Sequence, residues 1–257
     1  MCWPTRDLDH STFQTGGSQA KMIICFSRKF LFIHIHKTAG ESIYHSCRKV
    51  LQANDIALDG LPKTFNRNNK VYHLDKHSPA QTVLDYLGPT EWESFFSFSV
   101  VRNPLSRAVS LYNWSAVLIE QAGLTREKAC DLRREGTVTG YEFLRWPSIH
   151  VWSETTNFST FIRHPYLASE RAWQPQIESL KGRAGDAPIV SHVLKFENLS
   201  DNWAQVAALF GLPELPEVNV SKSRPMALKT SDVSDEDKRY LCEKFALDFK
   251  YFGYDLD

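Results

Sequence analysis

Apolar residues come in short unbroken runs in this chain, each closing on a polar turn and followed by apolar positions at helical spacing. Residues 22–25 and 30–35 form two such runs, separated by Ser27, Arg28 and Lys29. The second is nearly continuous, as expected of a strand covered on both faces of a parallel sheet. It closes on His36-Lys37-Thr38-Ala39-Gly40, after which Ile43, Cys47, Val50 and Leu51 recur at helical spacing over residues 41–52. The pattern predicts strand, short glycine loop, helix.

Polar residues 59–70, with Pro, Gly and Asn among them, predict a loop. Ser78-Pro79-Ala80-Gln81 has the form of a helix start, with Ser78 as N-cap, Pro79 at the first position and Gln81 at the third. That helix should stop at Gly88-Pro89. Residues 95–101 predict a second buried strand closing on Arg102-Asn103-Pro104, with Asn103 capping a helix that continues towards Glu120. Residues 123–181 read as helical and aromatic, 188–196 as a third strand and 201–210 as a helix ending at Gly211. A Pro-rich loop, 213–225, leads to a last helix capped by Ser234. Strands alternating with helices predict an α/β, three-layer fold with a central, mainly parallel sheet flanked by helices. The polar residues 1–20 predict a flexible leader before a single domain over 21–257.

Composition narrows the class. The 257 residues suit one large α/β domain or two small ones, and 42% hydrophobic with 23% charged residues allows an ordinary core. Thirty basic residues balance thirty acidic ones, which argues against a nucleic-acid coat or a polybasic membrane anchor. Cys2, Cys25, Cys47, Cys130 and Cys242 are scattered and never form C-x-x-C, so neither a disulfide framework nor a metal site is expected and a reducing compartment fits. The opening residues lack an apolar signal core, and no apolar stretch is long enough to span a bilayer. These features predict a cytoplasmic protein.

Two loops carry candidate chemistry. Lys37-Thr38-Ala39-Gly40-Glu41-Ser42 lies between a buried strand and a helix start, where backbone N–H groups and the helix dipole favour an anion. Gly40 would let the backbone approach a phosphate, Thr38 and Ser42 offer hydroxyls, and Lys37 offers charge; a plain strand–helix turn with a chance lysine is the alternative. The lysine precedes the glycine, unlike a Walker loop. Arg102 would project from the carboxyl end of the next strand, where ligands bind in open α/β sheets, and Ser110 lies two turns into the following helix. Arginine and hydroxyl together suit a second phosphate, although an arginine there is often a surface cap.

Residues 32–43, Phe-Ile-His-Ile-His-Lys-Thr-Ala-Gly-Glu-Ser-Ile, resemble the 5′-phosphosulfate loop of sulfotransferases that use 3′-phosphoadenosine 5′-phosphosulfate (PAPS), especially the branch containing carbohydrate sulfotransferases. Residues 98–112, from Phe-Ser-Val-Val-Arg-Asn-Pro to Ser-Leu-Tyr, resemble that family's 3′-phosphate motif. The likeness continues through Trp173-Gln-Pro-Gln, residues 194–199 and residues 248–254, and so covers residue 22 to the C-terminus. Two positions depart from the family pattern: His36 stands where proline is usual, and Glu41 where threonine or serine is usual.

The resemblance implies a P-loop-like fold in which Lys37, Thr38, Ala39, Gly40, Glu41 and Ser42 bind the 5′-phosphosulfate of PAPS. Lys37 would also neutralise the departing oxygen, while Arg102 and Ser110 hold the 3′-phosphate. Arg224 falls in a late loop where the family often covers the nucleotide; a solvated basic loop is the simpler account. The product would be 3′-phosphoadenosine 5′-phosphate, and no metal is expected. The acceptor would be a hydroxyl on a carbohydrate or small metabolite. Histidine suits the general base that such a hydroxyl needs. His77 is favoured from its place between the two motifs, with His73 and Glu41 behind it. His34 reads as a packed histidine, Glu197 as structural, and Trp114 and Trp173 as ring surfaces that could meet adenine or a sugar. The competing functions are a nucleotide-dependent kinase and a non-catalytic binding protein of the same fold.

Overall fold

The computed structural model describes residues 22–58, 62–216 and 227–255; the leader expected at residues 1–20 lies outside them. β1 (Met22–Cys25) and β2 (Phe30–Ile33) form a hairpin, β3 (Ile56–Leu58) adds beside β1, and β4 (Lys63–Arg67) with β5 (Lys70–Leu74) makes a separate hairpin. β6 (Phe96–Val101) and β7 (His192–Lys195) complete a five-stranded sheet in the order β3-β1-β2-β6-β7. β2 pairs in parallel with β6, and β6 with β7. β1 runs against both its neighbours, so it alone opposes the common direction of β2, β3, β6 and β7. The sheet is mainly parallel, as the sequence predicts.

Helices cover both faces. In chain order they are α1 (Gly40–Cys47), α2 (Ala80–Leu87), α3 (Pro89–Glu93), α4 (Pro104–Gln121), α5 (Arg126–Arg134) and α6 (Pro147–Glu154), then α7 (Phe158–Ile162), α8 (Ile177–Leu180), α9 (Leu199–Phe210), α10 (Asp235–Lys244) and α11 (Ala246–Phe252). Successive side chains of a strand point to opposite faces. Ile23, Phe30 and Phe32 therefore share a core with Ile43 of α1 and with Trp203 and Val206 of α9. Met22, Ile24, Leu31 and Ile33 share one with Val83 of α2 and Leu180 of α8. Every residue of β1 and β2 is fully buried, which is why their sequence is unbroken rather than alternating. Each large side chain so buried contributes about 1.5–3 kcal/mol. A third core joins α4, α6, α7 and α10. No helix among the described residues is long and apolar enough to cross a membrane.

Caps show where local chemistry decided the chain's path. The Asn103 side chain accepts from the N–H groups of Leu105 and Ser106, so the predicted cap of α4 is present and is worth about 1 kcal/mol. Ser78 behaves differently. Its hydroxyl accepts from Asp75 N–H at 2.8 Å, and α2 starts at Ala80 with the amides of Thr82 and Val83 returning to the Pro79 carbonyl. The loop expected over 59–70 is in part the β4–β5 hairpin, turned by Asn68 (φ 49°) and Asn69 (φ 58°). Two residues at positive φ match the twist that a tight hairpin needs.

Candidate active site

The two candidate loops leave the carboxyl ends of neighbouring parallel strands, β2 and β6. In the first, Lys37 (φ 67°) and Ala39 (φ 65°) are left-handed, at a cost of about 1–2 kcal/mol each for non-glycine residues. That curl turns successive backbone N–H groups towards one point, a concavity that suits an anion. The Ile43 N–H returns to the Ala39 carbonyl at 3.2 Å. The amides of Gly40, Glu41 and Ser42 stand at the start of α1 and have no intrahelical acceptor. Thr38 is fully buried, and its hydroxyl donates to the Ile35 carbonyl at 2.9 Å; it closes the loop instead of facing outward.

Gly40 has a packing role besides the one its sequence suggests. It does not take a positive φ. A Cβ built on it would lie 1.9 Å from His34 Nε2 and 2.0 Å from His34 Cδ2. Glycine is therefore required because the buried His34 ring occupies the space of a side chain. Gly40→Ala is expected to cost about 1–3 kcal/mol, as overpacking does, seen as a lower thermal midpoint. The Gly40→Ala/His34→Ala pair should cost less than the sum of the single changes.

Lys37 and Arg102 meet across the two strands. The Arg102 guanidinium donates to the Lys37 carbonyl at 3.4 Å and, through Nε, to Ser106 Oγ at 2.7 Å. The Lys37 ammonium lies 4.6 Å from the centre of the Trp114 ring, and the Arg102 guanidinium 4.3 Å from that of Phe196. Each cation thus faces a ring. Burial, then the charge of Arg102, pushes the Lys37 ammonium down to about 7, with Glu41 opposing. Burial also lowers Arg102, against the pull of Glu197, and raises Glu41. The hydroxyl that holds Arg102 belongs to Ser106; Ser110, expected to meet the 3′-phosphate, is partly buried one turn further along α4.

Buried groups behind the strand end fix this arginine. The Gln176 side chain accepts from Arg102 N–H at 2.9 Å and donates to Arg102 C=O at 2.8 Å. Asp248 accepts from the amides of Gln176 and Ile177, and Arg107, beside Asp248 at 3.9 Å, donates to the Gln174 carbonyl. Glu197 accepts from Asn103 N–H at 2.8 Å and from the Tyr254 hydroxyl at 3.0 Å, the structural role expected of it. The sequence pointed to these segments only through resemblance. Their work is to pin the backbone on which Arg102 stands.

His77 sits where the β5–α2 connection passes the end of β2. Its Nδ1 lies 3.1 Å from the His34 carbonyl, and its ring stacks on His36 with centroids 3.3 Å apart. Arg171 donates to the His77 carbonyl and to the Asp75 carboxylate, both at 2.7 Å. Burial holds His34, His36 and His77 well below the usual histidine range. His34 is 5% exposed, a packed residue as expected, although its Nδ1 has no hydrogen-bond partner among the described residues. His73 is elsewhere: exposed on β5, paired with Thr64 across the hairpin. Trp173 is core, edge-on to Phe245, and so offers no ring surface. Trp114 stacks on the half-exposed Trp146, their planes 6° apart. Arg224 lies outside the described residues. Among those residues, no group of three or more His, Cys, Asp or Glu side chains is placed to hold a metal ion.

Comparison with known proteins bears on the family of the chain. No curated protein sequence gives a match. Among solved structures, a crystal structure of a sulfotransferase from Alicyclobacillus acidocaldarius is similar at 18% identity and a TM-score of 0.27, over 68% of this chain. This chain spans 60% of the length of that protein, and a likeness so slight carries no argument about the site. A sequence model of the sulfotransferase family, by contrast, matches residues 20–255, nearly the whole chain. The chain belongs to the sulfotransferase family.

Proposed function

We propose that this protein transfers a sulfuryl group from PAPS to a hydroxyl of a carbohydrate or small metabolite. One observation carries the reading: Lys37 and Arg102, cations from two neighbouring parallel strands, converge beside amides that have no intrahelical acceptor. A lysine whose proton affinity is lowered by burial and then by a neighbouring guanidinium is a site short of an anion. The residues fit PAPS, with its phosphates at two points. Lys37 and the amides of Gly40, Glu41 and Ser42 would hold the 5′-phosphosulfate. Arg102, steadied by Ser106, would hold the 3′-phosphate with Ser110 further along the same helix.

When bound, PAPS supplies an activated sulfuryl group on a phosphate leaving group. The protein's share is placement and charge. Lys37 would keep a proton on Nζ where negative charge gathers at the departing oxygen. His77, neutral at physiological pH, would take the proton of the acceptor hydroxyl. Glu41, the departure from the family pattern, is partly offset by Lys37 and Lys76 and leaves its own backbone amide available. The Trp114–Trp146 stack offers a flat apolar surface beside Lys37, which fits the apolar face of a sugar ring or a flat metabolite.

Calorimetry with 3′-phosphoadenosine 5′-phosphate against ADP and ATP tests the donor. We expect the 3′-phosphorylated nucleotide to bind at least about tenfold tighter, since charge-assisted bonds to the 3′-phosphate, which ADP and ATP lack, are worth about 1.5–3 kcal/mol. Equal affinities, or none, would sink the assignment and return the kinase and the binding protein to contention.

A further inference from the structure

At the end of β2, three imidazoles from segments far apart in sequence are packed together. His36 stacks on His77 with ring centroids 3.3 Å apart and planes 21° apart. His34 lies 4.4 Å from His77 by the same measure, and its ring fills the space that Gly40 leaves. The His34 carbonyl, 43 positions away in sequence, is 3.1 Å from His77 Nδ1. A carbonyl oxygen only accepts, so Nδ1 must carry a proton, and in the neutral ring Nε2 then holds the free lone pair. Two imidazolium rings at stacking distance would repel, so the pile disfavours a second proton on His77.

We propose that His34 and His36 are positioning residues for His77: the His34 carbonyl selects the Nδ1–H tautomer, and the His36 ring on its face keeps His77 uncharged, leaving Nε2 as the proton acceptor. This rests on the reading of His77 as the general base, and it names the atom that would do the work. The chain spends a buried carbonyl and a second histidine on one ring, an arrangement that a merely structural histidine does not need.

The charges around the pile act in the same direction. Lys76 and Arg171 face His77 from its own connection and from the segment before α8, and Arg107 of α4 faces His36. Lys37 faces His34. The acids nearby are already engaged. Asp75 pairs with Arg171 and accepts from the His77 amide, while Glu41 lies against Lys37 and Lys76. A proton arriving on His77 would therefore meet cations and another imidazole, with no free carboxylate among these neighbours to stabilise it.

The test reads His77 directly, by nitrogen chemical shifts of histidine-labelled full-length protein, with His77→Ala identifying its signals. In the unaltered protein we expect a protonated Nδ1 and a bare Nε2 from pH 8 down to below the usual histidine midpoint of about 6.5. His36→Ala removes the stacked ring and lets water in, so the His77 midpoint should rise by about one pH unit or more. His36→Phe keeps a ring on that face and should preserve the tautomer. A bare Nδ1, an ordinary midpoint in the unaltered protein, or no shift in His36→Ala would each overturn the proposal. The first two outcomes are read in the unaltered protein. Because neither donor nor acceptor is present, these outcomes stand apart from nucleotide binding and turnover, on which the reading of the site as a sulfotransferase centre depends.

Discussion

Lys37→Ala is expected to lower kcat by about 10²- to 10³-fold, or about 3–4 kcal/mol of transition-state stabilisation, the usual loss when one preorganised donor to a developing anion is removed. The side chain is placed for that work. It sits on the loop between β2 and α1, half-buried, with its carbonyl beside the Arg102 guanidinium and its ammonium over the Trp114 ring. Single-turnover kinetics with labelled PAPS would measure the loss without interference from product release. A kcat within threefold of the unaltered protein would remove Lys37 from the reaction.

The same residue predicts a pH dependence of donor binding. In the free protein its ammonium titrates at about 7, well under the ordinary lysine value of about 10.4. A bound phosphate would restore the proton's stability and raise that value. Binding between pH 7 and pH 9 should therefore take up a proton. Affinity for 3′-phosphoadenosine 5′-phosphate should be highest near pH 7 and fall by up to about tenfold per pH unit above it. Calorimetry in buffers of different ionisation enthalpy would register the uptake. In Lys37→Ala both the slope and the proton should vanish.

His77→Ala carries the second large effect. Loss of a general base typically costs about 10²- to 10⁴-fold, and we expect that loss in turnover while affinity for the nucleotide changes by less than about twofold. The separation follows from position, because His77 contacts the β2 end through His34 and His36 rather than the Lys37–Arg102 pair. Its lowered proton affinity has a definite sign: the neutral, base-competent form persists below the usual histidine range. The acid limb of kcat/KM should accordingly fall below pH 6.5 and not at it. Normal turnover in His77→Ala would place the base elsewhere. Glu41, beside Lys37, would then come before His73, which is exposed on the β5 hairpin.

Much of the fold was legible because it depends on neighbours within a few residues. The continuous apolar runs of β1 and β2 announce strands buried on two faces, and Asn103 before Pro104 announces a helix start. The β4–β5 hairpin is hidden in the sequence because Pro, Gly and Asn together predict a loop. The Asn68-Asn69 pair was the local signal for a two-residue turn at positive φ. Ser106 stands four positions after Arg102, a spacing that brings two side chains together once a helix begins, and this was the local signal for its contact with Arg102. Ser78 does not cap α2 because its hydroxyl has a nearer donor in the Asp75 amide.

By itself the sequence determined the layered α/β order, the two loops at strand ends, the cations Lys37 and Arg102, and, through two motifs, the family. These follow from periodicity, caps and short spacings, which are local. The tertiary structure alone decided why residue 40 is glycine, what clamps Arg102, and what surrounds His77. Gly40 yields its space to His34. Gln176, 74 positions from Arg102, holds that residue's amide and carbonyl. His77 meets His34 and His36 only because the β5–α2 connection passes the end of β2. Such contacts depend on how separate elements pack, and no periodicity along the chain records them.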